Sequence, residues 1–257
     1  MPGQKDPSLG RRPGPRRKPT GATSAARKPE PPDRVERPPA AGPRRSWAAE
    51  GGLPRWVLEA LTRATPKVRL TAAIEHLEQA AKAFAASRYG KAMAEAISAK
   101  ALSPRDATVR ELIALSAYRL GRWDEALREL RVFRRLTGEP LHIPIEIDVL
   151  RALGRPSTDI DEVWKQLQRL DADPATRDEA RVVYASNLID RGEARRAWEI
   201  TNPKRLTADP TESELRVWYV ASRAAGILGD AVTARRLLEA IEAADPAFPG
   251  LDELARP

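Results

Sequence analysis

Cysteine is absent from all 257 residues. Its absence excludes a disulfide framework, a thiol nucleophile and every zinc site that needs thiolates. Histidine is nearly missing as well. Only His76 and His142 occur, far apart in the chain, and neither has a second ligand at metal spacing. No apolar run approaches the roughly 20 residues of a membrane-spanning helix, so no membrane partner is expected. There is no glycine-rich phosphate loop, no H-E-x-x-H and no G-x-S-x-G. Carboxylate pairs such as Asp159 and Asp161 fall where charged helix starts put them anyway. The chain is therefore expected not to be an enzyme, with no catalytic residue, no metal site and no cofactor. Its first residues, "MPGQKDPSLGRRPGPRRKP", carry positive charge with no apolar core behind it. That is not the pattern of a secretory signal, and a cytoplasmic location is expected.

Charge is present in excess, but in one place. The chain carries a formal +8. Residues 1–45 hold 12 Lys and Arg against 4 Asp and Glu, which is the whole of that excess. The remaining residues hold 32 groups of each sign. The same 45 residues hold 11 of the 23 prolines and almost no large apolar side chains. Such a segment cannot bury enough surface to offset chain entropy, so 1–45 is expected to be a disordered, basic, proline-rich tail. Its clusters contain Arg11, Arg12, Arg16, Arg17, Lys18, Arg44 and Arg45. Two readings stand side by side: a solvated linker, or a tail making weak, salt-dependent contact with RNA, DNA or an acidic surface. No aromatic side chain precedes Trp47, so the tail has nothing to stack on a base.

The body reads as helical. Apolar residues recur at helical spacing, as in Leu112, Leu115, Leu120, Leu127 and Leu130. "HIPIEIDVL" (142–150) also fits the strand period of two, but its place among the neighbouring helices favours a helix with Pro144 in the first turn. The decisive feature is an internal period. "YGKAMAEAISAKALSP" lies over "WDEALRELRVFRRLTG" at an offset of 34 residues, with Tyr89 on Trp123 and Ala92 on Ala126. The pattern returns at "DRGEARRAWEI" and at "LGDAVTARRLLEAIEAADP", and more weakly at "ALGRPSTDIDEVWKQLQRL". Pro104, Pro140, Pro174, Pro210 and Pro246 follow at intervals of 36, 34, 36 and 36 residues. Four of them stand after Ser or Asp, which predicts a capped helix start with proline at the first position. Asp209 with Glu212 predicts a capping box.

These residues resemble the tetratricopeptide repeat family. The resemblance rests on small residues at Ala80, Ala114, Ser222, Ala92, Ala126, Ala197 and Ala234, on Tyr89 and Trp123 beside the turn, and on the prolines. It implies an all-α fold: a tetratricopeptide-like α-solenoid of about five helix-turn-helix repeats over residues 66–248. Residues 46–65 are expected to form a capping helix and 249–257 a short C-terminal tail. More narrowly, the run from "LPRWVLEALTRATPKVRL" to "AYRLGRWDEALRELRVFRRLTGE" is similar to uncharacterised actinobacterial tetratricopeptide proteins with a basic disordered N-terminus. Ile160 in place of alanine and Pro203 inside the fourth unit predict an irregular stretch between residues 140 and 210.

The resemblance also implies a function. Such arrays bind a peptide or protein partner in a concave groove lined by the first helix of each unit. The groove positions fall here on Glu111, Tyr118, Arg119, Asp148, Arg151, Asp190, Tyr219 and Arg223. The family members that grip chaperone C-termini use a Lys and an Asn in the first unit; here Leu77 and Ala81 stand in those places, so chaperone-tail binding is not expected. The leading expectation is a non-enzymatic protein-interaction scaffold. The alternative is an RNA- or ribosome-associated adaptor that uses the basic tail. Too little chain follows Pro246 for a full capping helix, so Phe248 and Leu251 are expected to fold back over the last pair; otherwise that end could join a second copy into a homo-oligomer.

Overall fold

The structure is a computed structural model that describes residues 52–251. The expected tail and its seven basic residues lie outside that range, as do residues 46–51 and 252–257.

The described residues form eleven helices and no strand. In chain order they are α1 (Arg55–Ala64), α2 (Lys67–Ala85), α3 (Tyr89–Leu102), α4 (Ala107–Arg119), α5 (Trp123–Thr137), α6 (Ile143–Ala152), α7 (Ser157–Arg169), α8 (Pro174–Asp190), α9 (Ala194–Thr201), α10 (Glu212–Ile227) and α11 (Ala231–Ala244). Five consecutive pairs run from α2 with α3 to α10 with α11, and each helix packs on its own partner. The α1 helix lies against α2 and α4, burying Val57 and Leu61. Trp56 on the same helix is 39% exposed.

One turn, used five times, sets the repeat. Each pair is joined through a single residue in the left-handed region: Ser87 (φ 55°), Gly121 (70°), Gly154 (61°), Gly192 (78°) and Gly229 (82°). The next amide always reaches back five residues to a helix carbonyl. These bonds run from Arg88 to Ala83, Arg122 to Ala117, Arg155 to Leu150, Glu193 to Leu188 and Asp230 to Ala225, at 2.8–3.0 Å. The left-handed residue's own amide reaches back three, as from Gly121 to Tyr118 at 3.1 Å. Together these close a Schellman motif, which satisfies carbonyls that the helix end leaves open. Glycine serves there because it has no Cβ to clash. The first unit makes the same turn with Ser87, which its sequence did not announce.

Small residues occupy the helix crossings. Ala80, Ala92, Ala114, Ala126 and Ala197 are fully buried. Beside the turn, Phe84 meets Tyr89 edge-on at 5.3 Å and Tyr118 meets Trp123 at 5.7 Å between ring centroids. Tyr89 and Trp123 beside the turn are therefore each one of a pair of rings, one from each helix. "HIPIEIDVL" is helical, with Pro144 in the first turn of α6.

The prolines keep the period but not the predicted role. Only Pro174 opens a helix behind a capping aspartate, Asp173. Pro104 lies in the turn ahead of α4, whose cap is Asp106. Pro140 precedes the turn leading into α6. The capping box of α10 is Thr211 with Glu214 rather than Asp209 with Glu212. Pro246 lies in a turn after α11, where Phe248 donates its amide to the Asp245 carbonyl at 3.1 Å. A proline two or three residues outside a helix still breaks helical hydrogen bonding between units, so the period survives without the cap.

The expected irregularity lies where Ile160 and Pro203 placed it. The α9 helix has only 8 residues and ends just before Pro203. The α7 helix makes thin contact with α8, and α6 packs on α8 directly. At the far end Phe248 folds back: it is 9% exposed and lies 5.7 Å from Tyr219, with Leu251 packed on the same cluster.

Candidate interaction face

Counting back from the left-handed residue of each turn puts the expected groove residues on one stripe. Glu111 and Tyr219 stand ten residues before it, Asp148 and Arg223 six, Tyr118 and Arg151 three, Arg119 and Asp190 two. The steps from ten to six and from six to two are four residues and that from six to three is three, spacings that keep one face of a helix. The turn fixes that register, because every first helix ends on the same motif.

Several of these residues are joined across repeats. Tyr118 on α4 donates its hydroxyl to Asp148 Oδ2 on α6 at 2.7 Å. Asp148 lies 3.6 Å from Arg151 on the same helix. Arg151 reaches Asp190 on α8 at 2.6 Å. The result is a polar ladder over three first helices, with Asp148 and Arg151 at 22% and 27% side-chain exposure and Asp190 at 42%. Arg119 is exposed, with its guanidinium carbon 5.5 Å from the centroid of the Tyr89 ring. Tyr219 lies under Phe248 and Gly250; a Cβ on Gly250 would come 2.5 Å from its hydroxyl oxygen. Arg223 is half-buried.

Glu111 does not present its carboxylate on this face. It is 2% exposed and lies 2.5 Å from His142 Nε2, just ahead of α6. A carboxylate so deep needs a partner, and His142 supplies one from the next unit. Leu77 and Ala81, which stand where chaperone-binding relatives carry Lys and Asn, are buried apolar residues of α2.

Other buried carboxylates tie the units behind the face. Glu129 on α5, 1% exposed, holds Lys100 of α3 at 2.7 Å and Arg110 of α4 at 2.8 Å. Burial pushes its carboxyl up, but the hydrogen bonds from Lys100 and Arg110 outweigh burial and hold it below the ordinary carboxylate value. Glu146 on α6 holds Arg131 at 3.0 Å and Arg134 at 3.2 Å, both on α5. Glu179 on α8 pairs with Arg216 on α10. There burial wins: the Glu179 carboxyl is raised, and neighbouring Glu212 and Asp178 push the same way against Arg216. Tyr184 stacks on Trp164 at 4.6 Å and donates to Asp161 at 2.9 Å. Burial first, then that hydrogen bond, pushes its hydroxyl up to about 12. None of these partners lies within two turns of its mate in sequence, so periodicity could not reveal them.

Among the described residues no group of three or more metal-ligating side chains converges. No helix there is long and apolar enough to cross a membrane.

Neither protein-family models nor curated proteins give a match to the sequence. Among solved structures, the apo form of the quorum sensor NprR from B. thuringiensis aligns with a TM-score of 0.56 at 11% identity, covering 77% of this chain. The chain spans 60% of that protein's length. At that identity the likeness concerns the fold, and the fold is an all-helical, tetratricopeptide-like repeat array.

Proposed function

We propose that the chain is a non-enzymatic interaction scaffold that holds a peptide or an extended protein segment along the first-helix stripe. The single observation behind this reading is the ladder from Tyr118 through Asp148 and Arg151 to Asp190. It fixes polar groups of both signs in one line on the first helices of three consecutive units, still partly open to solvent. Groups held that way lose little further side-chain entropy on binding. An extended peptide offers backbone amides and carbonyls at regular intervals, which such a line can meet. The likeness to a quorum sensor supports a recognition role for this fold, as a proposal for this chain.

The test is selection of a displayed random-peptide library on the full chain. Selected peptides should lose binding when Arg119→Glu changes the stripe and keep it when Arg135→Glu makes the same change on exposed α5. Equal loss in both variants, or selection of no peptide at all, rules the reading out.

A further inference from the structure

Seven Lys and Arg side chains among the described residues are withdrawn from full exposure. Six of them hold a carboxylate: Lys100 and Arg110 hold Glu129, Arg134 holds Glu146, Arg151 holds Asp190, Arg191 holds Asp161 and Arg216 holds Glu179. The seventh, Arg223, makes no ion pair with any described residue. A guanidinium partly removed from water without a counter-charge is costly. The fold avoids that cost at the other six positions.

The register says what is missing. Glu179 and Arg216 both stand thirteen residues before their turns, and they are in contact, so α8 and α10 run side by side in step. Two helical turns further along, the same register puts Arg223 at the level of Ser186, the residue six before the turn of α8. On α6 that same position is Asp148. An acid at this place on α8 would bring a carboxylate to the level of Arg223; the residue there is serine. The neighbouring residue of α8, Asn187, is 6% exposed and its Oδ1 has no hydrogen-bond partner.

We infer that Arg223 takes a carboxylate from the bound partner. This rests on the peptide-binding reading above and names the chemistry of one ligand group. A carboxylate matches the planar guanidinium fork with two parallel hydrogen bonds. Asp148 and Asp190 on the same stripe disfavour a longer polyanion such as a nucleic-acid backbone. The carboxylate is either the end of a peptide or the side chain of an Asp or Glu within it, and the two are separable.

The experiment uses the full chain and three immobilised libraries of random decapeptides: one with free C-termini, one amidated, and one amidated and lacking Asp and Glu. Wild type, Arg223→Gln and Arg235→Gln are compared; Arg235 is an exposed cation on α11, and circular dichroism checks that all three fold alike. Wild type and Arg235→Gln should favour carboxylate-bearing peptides over the acid-free amidated library by about tenfold or more, and Arg223→Gln should lose that preference. Enrichment in the free-terminus library alone assigns the group to the peptide end; enrichment of Asp or Glu in the amidated library assigns it to a side chain. If peptides bind but Arg223→Gln keeps the same preference, the inference fails and the scaffold reading stands. If no library binds wild type, both fail.

Discussion

The first two units and the last three solve the same packing problem by different means. From α2 to α5 the helices have 19, 14, 13 and 15 residues, and alanines let them cross closely. Close crossings are backed there by one buried carboxylate, Glu129, which ties α5 to α3 and α4. From α6 onward the helices are uneven: α6 has 10 residues and α9 has 8. There α8 contacts α7 thinly and leans on α6 and α10 instead. Polar partners fill in, with Glu179 and Arg216 joining α8 to α10, and Asp161, Tyr184 and Arg191 joining α7 to α8. A repeat fold thus tolerates loss of helix length where buried charge pairs can fix the register.

The largest effect should come from breaking such a pair. Arg216→Ala leaves Glu179 buried without its partner, and unfolding of α8 to α10 should become easier by about 3–5 kcal/mol, read as segment-resolved hydrogen exchange. The first two units should keep their protection, since units of an array interact mainly with their neighbours. Next comes packing. Ala126→Leu overfills a crossing and should cost about 1–3 kcal/mol, whereas Ile160→Ala empties the equivalent place in the third unit and should cost about 2–5 kcal/mol by urea unfolding. A harmless Ile160→Ala would mean that the third unit is an ordinary copy.

The turns offer a smaller and opposite pair of changes. Ser87→Gly should stabilise by about 0.5–1 kcal/mol, the left-handed penalty less the added chain entropy of glycine. Gly121→Ala should destabilise by about 1 kcal/mol. This pair also shows what was legible in the sequence. The period, the glycine turns and the alanine crossings follow from local chemistry, so they could be read. Ser87 could not, because a serine in the left-handed region is imposed by the helices on either side. The proline grid gave the right period and mostly the wrong caps, because a proline just outside a helix stops the chain as well as one at its first position. The stripe was legible as a face. Its ladder was not, since Tyr118 and Asp148 meet only after two units have packed.

The weakest contrast is in pH. Glu129 is held below its ordinary value, so its contribution is present above the unfolded carboxylate range and is lost as pH falls through the lowered value. Glu179 and Asp178 are raised, Asp178 chiefly by burial, so their contribution is full in acid and is lost as pH rises through the raised values. Moving from about pH 7 to about pH 4 should therefore weaken α5, which carries Glu129, relative to α10, which carries Arg216, in exchange rates corrected for intrinsic pH dependence. The starts of α4 and α8 move the other way: Asp106 is raised by burial, while at Asp173 burial is outweighed by the Thr176 hydrogen bonds that lower it. The reverse order of α5 and α10 would mean that Glu129 and Glu179 have been given the wrong signs.

The central claim is that the stripe of first helices, and not the second-helix surface, meets the partner. Hydrogen-exchange footprinting of the full chain with a selected peptide tests it most directly. The account predicts slowed exchange in α4, α6, α8 and α10, with α3, α5, α7 and α11 unchanged. Protection confined to the second helices, or spread evenly over both, would contradict it.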